Sequence, residues 1–405
     1  MKAYETSERY EGKLRECCNY AARTAKNFAT GENNSKRQAC GPDEKVLADT
    51  LKADLTTFTD KVTEDNFNAD RAAYILSNFL IFLFMILAAA AGICACMFEE
   101  YALYLLIAAV VLTFLSLLAF CGVFGGTSKN VDGKNIFAVR NASGDVKNRV
   151  ILEANLDAPF KRKFSPKTTA ILKTVTFFGI LLYLAFDIVS LLINTETLDF
   201  KASAYFIYIS FPLALFAFIP LFISRSVTAT ASFPGVVDNL VGCYTAAGTM
   251  RYMSEMDLRL DKTELCVLLT GAKNAGRAGA KTYCRLHSEE DAKLNTVVLS
   301  LDTLYDPSKL TIFSSGKTTT DAISEAATNA DVQILSTKPK HIKKNGSMKV
   351  FKKNKYSCAT ITTLEESYPA YFGTEKDTEQ NINVKAIESV MKLVLETAYA
   401  IDSVE

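Results

Sequence analysis

Four apolar runs constrain this chain before anything else does. They are Tyr74 to Phe98, Tyr101 to Val123, Thr169 to Asn194 and Ala204 to Ser224. A helix that crosses the hydrocarbon core of a bilayer needs about 20 apolar residues, a length that core helices of soluble domains rarely reach. Four transmembrane helices are therefore expected, in two hairpins. The first turns through Phe98-Glu99-Glu100 and the second through NTETLDFKAS, residues 194–203. The other flanks are basic: Arg71 before the first pair, Lys161, Arg162, Lys163, Lys167 and Lys173 before the second, and Arg225 after it. Positive charge stays on the cytoplasmic side, so both turns are expected outside and both termini in the cytoplasm. Pro212 and Pro220 are expected to kink the last helix. Asp187 is the one acid within an apolar run. A transport role is conceivable, but a lone acid without partner charges points first to a helix–helix contact.

An even number of crossings returns the chain to its starting side. Residues 1–72, 124–168 and 225–405 can then build one discontinuous cytoplasmic domain, with 73–123 and 169–224 inserted as hairpins. Composition agrees, because 49% of residues are hydrophobic yet 22% are charged. A formal net charge of +1 supplies no global field toward nucleic acid. The ten cysteines are scattered without a disulfide-framework spacing, which predicts free thiols in a reducing compartment. The first residues, MKAYETSERYEGKLRE, are too charged for a signal peptide.

Outside the apolar runs, helices are expected at 7–28, 43–60, 238–255, 276–288, 319–329 and 380–400. Short β-branched segments are expected as strands: Ile136 to Arg140, Val150 to Ala154, Leu265 to Thr270, Thr296 to Leu301, Val332 to Leu335 and Ala359 to Thr363. Apolar strands alternating with helices predict an α/β, doubly wound, mostly parallel sheet covered on both faces. Sites in such sheets form beyond the carboxyl ends of the strands.

Five blocks stand at those ends. Asn155-Leu156-Asp157 follows one strand, and Phe233-Pro234-Gly235-Val236-Val237-Asp238-Asn239-Leu240-Val241-Gly242 precedes a helix. Gly271-Ala272-Lys273-Asn274-Ala275-Gly276-Arg277-Ala278-Gly279-Ala280 follows another strand. Ser300-Leu301-Asp302-Thr303 and Tyr371-Phe372-Gly373-Thr374-Glu375-Lys376-Asp377-Thr378 come later. In this order they resemble the di-zinc aminopeptidase family, which includes glutaminyl cyclases and the transferrin receptor and nicalin ectodomains. The family pattern runs H-x-D, P-G-A-x-D-N-x-x-G, G-x-E-E-x-G-x-x-G-A, N-L-D, and a late histidine before T-x-x-D-T. The stretch from Arg37 to Leu55 looks like the family's R-x-x-G-S-x-x-E segment.

The resemblance implies five protein ligands for two zinc ions and a glutamate as general base. At those positions this chain has Asn155 for the first histidine, Asp238 for the bridging aspartate and Lys273 for the general base. It has Asn274 for the glutamate ligand, Asp302 for the later aspartate and Gly373 for the last histidine. Asp157, the acid behind the first ligand, is kept. Three of five ligands and the base are replaced; amides are poor zinc ligands and an ammonium repels the metal. No zinc or other cofactor is expected, and no catalytic residue. The chain has only two histidines, His287 and His341, both expected as surface residues away from the ligand positions. Neither a G-x-S-x-G elbow nor a phosphate loop ending in G-K-[ST] is present.

Residues 338–355 hold eight lysines: Lys338, Lys340, Lys343, Lys344, Lys349, Lys352, Lys353 and Lys355. Either this is a solvated loop, or Lys343, Lys344, Lys352 and Lys353 face anionic lipid. Nucleic acid is not expected as a partner, since Phe351 is the sole aromatic of the stretch. The expected function is a membrane-anchored, catalytically inactive aminopeptidase-like protein that binds a protein or peptide partner. The alternatives are an active hydrolase with an atypical site and a transporter or channel component using the apolar helices.

Overall fold

The computed structural model describes residues 10, 12–31, 37–70, 73–124, 130–164, 166–195, 214–335, 346–364, 369 and 371–403. The chain divides into two compact units. One is Met1–Ala69, Val131–Lys161 and Thr230–Glu405; the other is Asp70–Asn130 and Arg162–Ala229.

The first unit is α/β. Its helices are α1 (Lys13–Thr30) and α2 (Pro42–Phe58), and its first strands are β1 (Lys61–Asp70), β2 (Asn130–Arg140) and β3 (Asn148–Asn155). In the other unit lie α3 (Ala73–Met97), α4 (Ala102–Phe120), α5 (Pro166–Asn194) and α6 (Phe218–Ser226). Short strands β4 (Phe160–Arg162) and β5 (Val227–Ser232) pair with each other. The α/β unit continues with α7 (Val241–Glu255), β6 (Thr263–Thr270), α8 (Ala278–Asp291), β7 (Asn295–Leu301) and β8 (Thr311–Ser315). It ends with α9 (Lys317–Asn329), α10 (Met348–Lys353), β9 (Ser357–Thr362) and α11 (Val384–Ser403).

Seven strands form one sheet in the order β1-β2-β6-β3-β7-β9-β8. The central four are parallel, with Val150 beside both Leu265 and Val297, and Leu299 beside Ala359. Strands β2 and β8 run antiparallel to their inner neighbours. Side chains alternate between the faces of a strand. Val150, Leu152 and Ala154 of β3 join Leu265, Val267 and Leu269 of β6 in the larger core, together with residues of α1, α2, α7 and α11. Ile151, Cys266, Leu268 and Val298 point the other way, onto Tyr283 and Cys284 of α8 and Phe351 of α10. Burial on both faces explains why β3 reads as an almost unbroken buried run.

Four strands were not expected: β1 and β8 at the edges of the large sheet, and the short pair β4 and β5. Strand β1, KVTEDNFNAD, is a polar edge strand, and β8 has only five residues. Val332 to Leu335 is not a strand; Leu335 makes one isolated bridge to Thr311. No disulfide forms among the described residues.

In the second unit, three helices among the described residues are long and apolar enough to cross a membrane: Ile75–Met97, Ala102–Phe120 and Thr168–Asn194. The expected fourth span, Ala204 to Ser224, lies outside the described residues as far as 213. Its described end is the nine-residue helix α6, too short to span alone. The turn through 196–203 and Pro212 also fall outside the described residues. Pro220 sits in the first turn of α6, and the chain turns at 216–217 just before it. Proline rejects the carbonyl four residues back, so the helix breaks there. Phe79, Ile107, Phe114, Phe178, Leu182 and Phe222 are exposed across these helices, a surface that suits an apolar solvent and not water. Asp187 is buried and accepts a hydrogen bond from Thr113 Oγ1 at 2.7 Å. It ties α5 to α4 as a helix–helix contact.

Candidate functional site

The site lies wholly in the α/β unit, where β3, β6 and β7 end. Each strand delivers one polar residue at its carboxyl end, and the chain then turns into a loop. Strand β3 delivers Asn155, with Asp157 two residues on; the loop after β6 delivers Lys273 and Asn274; β7 is followed by Asp302. Asp238 arrives from the other direction, from the turn that opens α7.

Lys273 is the hub. Its Nζ donates to Asn155 Oδ1 at 3.0 Å and to both Asp302 oxygens at 3.1 Å. It also lies 3.7 Å from Asp238 Oδ1. All three side chains are nearly buried: 12% of the Lys273 side chain is exposed, 9% of Asp238 and 14% of Asp302. Burial pulls the ammonium down, but Asp302 and Asp238 outweigh it and hold Lys273 above the ordinary lysine value. Burial pushes Asp238 up to about 7; Lys273 opposes this, while Asp302, Asp377 and Asp157 add to it. The ammonium therefore neutralises carboxylates that would otherwise repel one another or take up protons.

The loops are fixed from behind. Asp157 is fully buried and accepts from the backbone N–H of Lys273 (2.7 Å), the backbone N–H of Asn274 (2.8 Å) and Asn274 Nδ2 (2.9 Å). Burial raises its pKa, and these bonds counter the rise. Glu44, at the start of α2, takes the N–H groups of Ala272, at 3.1 Å, and of Cys40. Asp377 accepts from Val237 N at 2.9 Å and Asp238 N at 3.3 Å, and burial pushes it up to about 6.

Arg37 holds the remaining strap. It is completely buried, and its guanidinium donates to three carbonyls: Leu156 (3.0 Å), Pro234 (3.0 Å) and Gly235 (2.7 Å). Those carbonyls belong to the two loops that carry Asp157 and Asp238. Gly235 has φ +58°, and a Cβ there would stand 2.6 Å from the Asp238 carbonyl and 2.8 Å from Ala158 Cβ. Only glycine fits that turn. Asn239 joins the two halves, donating from Nδ2 to the Leu301 carbonyl at 2.5 Å and to Asn155 Oδ1 at 3.3 Å. Glu153 lies under the site on β3, hydrogen-bonded to Thr270 and Ser300.

Asn155, Asp157, Asp238, Lys273, Asn274 and Asp302 are thus linked in one network. Gly373, in a turn with φ +62°, brings no side chain to it, and a Cβ there would meet nothing within 4 Å. Of the lysine-rich stretch, Lys349, Lys352, Lys353 and Lys355 are described and exposed, while Lys343, Lys344 and His341 lie outside the described residues. The surface reading of His287 is corrected. Its Nε2 lies 3.0 Å from Asp65 Oδ2 and its ring stacks on Tyr283 with centroids 4.6 Å apart, because the polar edge strand β1 covers it.

The resemblance implies a zinc pair, and the donor set can be tested against it. Zinc takes lone pairs from imidazole, thiolate or carboxylate at about 2.0–2.3 Å. The place between Asp238 and Asp302 is filled by an ammonium, which offers three N–H groups and no lone pair. Asn155 and Asn274 turn their NH₂ groups to Asp157. Among the described residues no three His, Cys, Asp or Glu come together as a metal site. These residues do not fit the zinc pair.

Comparison with known proteins agrees with the fold. Residues 224–398 match the family described as Peptidase family M28. The structure is similar to BSAP, a zinc aminopeptidase from Bacillus subtilis, with TM-score 0.55 and 12% identity over 94% of each chain. It is similar to LapB from Legionella pneumophila, with TM-score 0.55 and 10% identity, covering 99% of this chain and 75% of that one. The glutaminyl cyclase of Fimbriiglobus ruber gives TM-score 0.54 and 9% identity over 95% of each chain. No curated protein matches the chain in sequence.

Proposed function

We propose that this relative of the M28 peptidases is a catalytically silent, membrane-held binding module, with Lys273 standing where the family keeps its metal. One observation carries the proposal: the Lys273 ammonium sits 3.1 Å from Asp302 and 3.7 Å from Asp238. A general base must take a proton, and an ammonium held above its ordinary value has no free lone pair to do so. Meanwhile the loops around the site stay braced by Arg37, Glu44, Asp157 and Asp377. An ordered site without a base or a metal supports recognition of a protein or peptide, not its cleavage. The apolar helices keep that module at a bilayer, and the basic flanks favour its lying on the cytoplasmic side.

The test is activity and metal content together. Purified full-length protein, assayed with aminoacyl and peptidyl substrates with and without added zinc, should show no turnover above background. Metal analysis should find well under one zinc per chain. Turnover that rises with zinc, or near-stoichiometric zinc lost on Asp302→Ala, would return the enzyme reading. Crosslinking and co-purification from native membranes should then recover a partner whose yield falls when the loops around Lys273 are altered.

A further inference from the structure

The second face of the sheet carries a charge pattern that the Lys273 site does not explain. Helix α8 presents Lys281 and Arg285 to solvent one turn apart. Beside it α10 and the turn after it present Lys349, Lys352, Lys353 and Lys355. The two helices are joined beneath by Tyr283 and Phe351, whose ring centroids lie 6.4 Å apart. None of the six cations forms an ion pair among the described residues, although the chain as a whole is nearly neutral at +1. The nearest acids on α8, Glu289 and Glu290, stand at its far end, where Glu290 approaches Arg149 at 3.7 Å. The cations also feel one another. Burial lowers the Lys281 ammonium below the ordinary lysine value, and Arg277 and Lys353 push it the same way. Such a cluster is repulsive until an anionic surface covers it.

We propose that the α8–α10 face docks on the anionic surface of a lipid bilayer, through Lys281, Arg285, Lys349, Lys352, Lys353 and Lys355. Two features favour lipid over nucleic acid. The same chain carries three helices able to span a membrane, so a bilayer is a permanent neighbour. The face also lacks a stacking platform, since Tyr283, Phe351 and Tyr356 are buried. Leu286, half exposed next to Arg285, gives the face one apolar side chain for the headgroup layer.

Lysine acetylation footprinting of the full chain in nanodiscs tests this. In discs of phosphatidylcholine with a third phosphatidylserine, Lys281, Lys349, Lys352, Lys353 and Lys355 should react about fivefold more slowly than in pure phosphatidylcholine, the factor that corresponds to one lysine's contact with an anionic leaflet. Exposed Lys45 and Lys385, on other elements, should not change. The protection should vanish in about 1 M salt, where the screening length is about 3 Å. A Lys352→Glu/Lys353→Glu variant, altered only at exposed positions, should lose the protection at Lys281, a residue it leaves intact. Equal reactivity in both lipids overturns the proposal. So does equal shielding by a nucleic-acid duplex in pure phosphatidylcholine discs when phosphatidylserine gives none.

Discussion

Lys273 Nζ is equidistant, at 3.1 Å, from the two carboxylate oxygens of Asp302. The ammonium thus straddles the carboxylate while Asp238 stands behind it at 3.7 Å. Removing the cation leaves two nearly buried acids with no counter-charge. Breaking one side of a buried pair typically costs about 3–5 kcal/mol, so Lys273→Met should lower unfolding stability by about that much at pH 8. The loss should shrink at pH 5. Without Lys273 the folded-state pKa of Asp238, already raised by burial, loses the one charge that opposes the rise and climbs further above its unfolded value, and a raised acid stabilises the fold less as pH climbs. Denaturant unfolding of both proteins across pH 5–9 measures this; a pH-independent difference would show that the ammonium does not compensate these acids.

Lys273→Glu should be worse than Lys273→Met. It restores the residue type of the family's general base but adds a third carboxylate to Asp238 and Asp302. It leaves Asn155, Asn274 and Gly373 unable to ligate zinc. The variant should gain no peptidase activity, with or without zinc, and should unfold at lower denaturant than Lys273→Met. Recovery of turnover by this one change would mean that the missing ligands are dispensable.

The two sides of this site were unequally legible in the sequence. The strands that place Asn155, Lys273 and Asp302 are buried on both faces, so they read as apolar runs followed by short polar blocks. Strand β1 was not legible, because KVTEDNFNAD buries only Asp65, Phe67 and Ala69 in alternation, and one of these is an acid, which leaves too few apolar residues to show a period. His287 was misplaced for the same reason, since its partner Asp65 lies on that strand. The roles of Arg37, Glu44 and Asp377 also escaped. Each acts on backbone groups of a loop distant in sequence, which leaves no spacing pattern to read. The only trace was that Arg37, Glu44 and Asp377 fall within family-like segments. The turn at 216–217 in the fourth apolar run is not visible in its hydropathy, but Pro220 marked it.

Arg37 should prove as important to the fold as any core residue. Its guanidinium serves three buried carbonyls, and losing the donor for one buried acceptor costs about 1–3 kcal/mol. Arg37→Met should therefore destabilise by at least about 3 kcal/mol in denaturant unfolding. Arg37→Lys should recover little, because one ammonium cannot reach the Leu156, Pro234 and Gly235 carbonyls as a planar fork does. Near-complete rescue by lysine would mean that charge, not the fork, is what the loops need.

Orientation in the membrane is open to a direct measurement. Single cysteines placed at Glu99 and at Thr197, in a background without reactive native thiols, should react with an impermeant maleimide applied to intact cells. The basic flanks at Arg71, Lys161, Lys163 and Arg225 predict that outcome. Labelling at both sites only after lysis would invert the topology. Labelling of Glu99 alone would mean that α5 does not cross, which would remove the second hairpin from the membrane.

His287 and Asp65 make the stability of the α/β unit depend on pH near neutrality. Their ring nitrogen and carboxylate are 3.0 Å apart, with the imidazole stacked on Tyr283. The hydrogen bond to Asp65 raises the His287 pKa, and partial burial opposes the rise. A histidine whose folded pKa exceeds its unfolded value, about 6.5, contributes stability that is fully present below the unfolded value. That contribution fades as pH rises through the folded value. Replacing the histidine by glutamine keeps a hydrogen-bond donor but removes the titrating charge. Wild type should therefore exceed His287→Gln in unfolding midpoint at pH 5.5, and the gap should close by about pH 9, well above the histidine range. Proton titration of the His287 ring by NMR in the same buffers should give a midpoint above the ordinary histidine value. A gap that stays constant across this range would assign the pair a packing role with no ionic part.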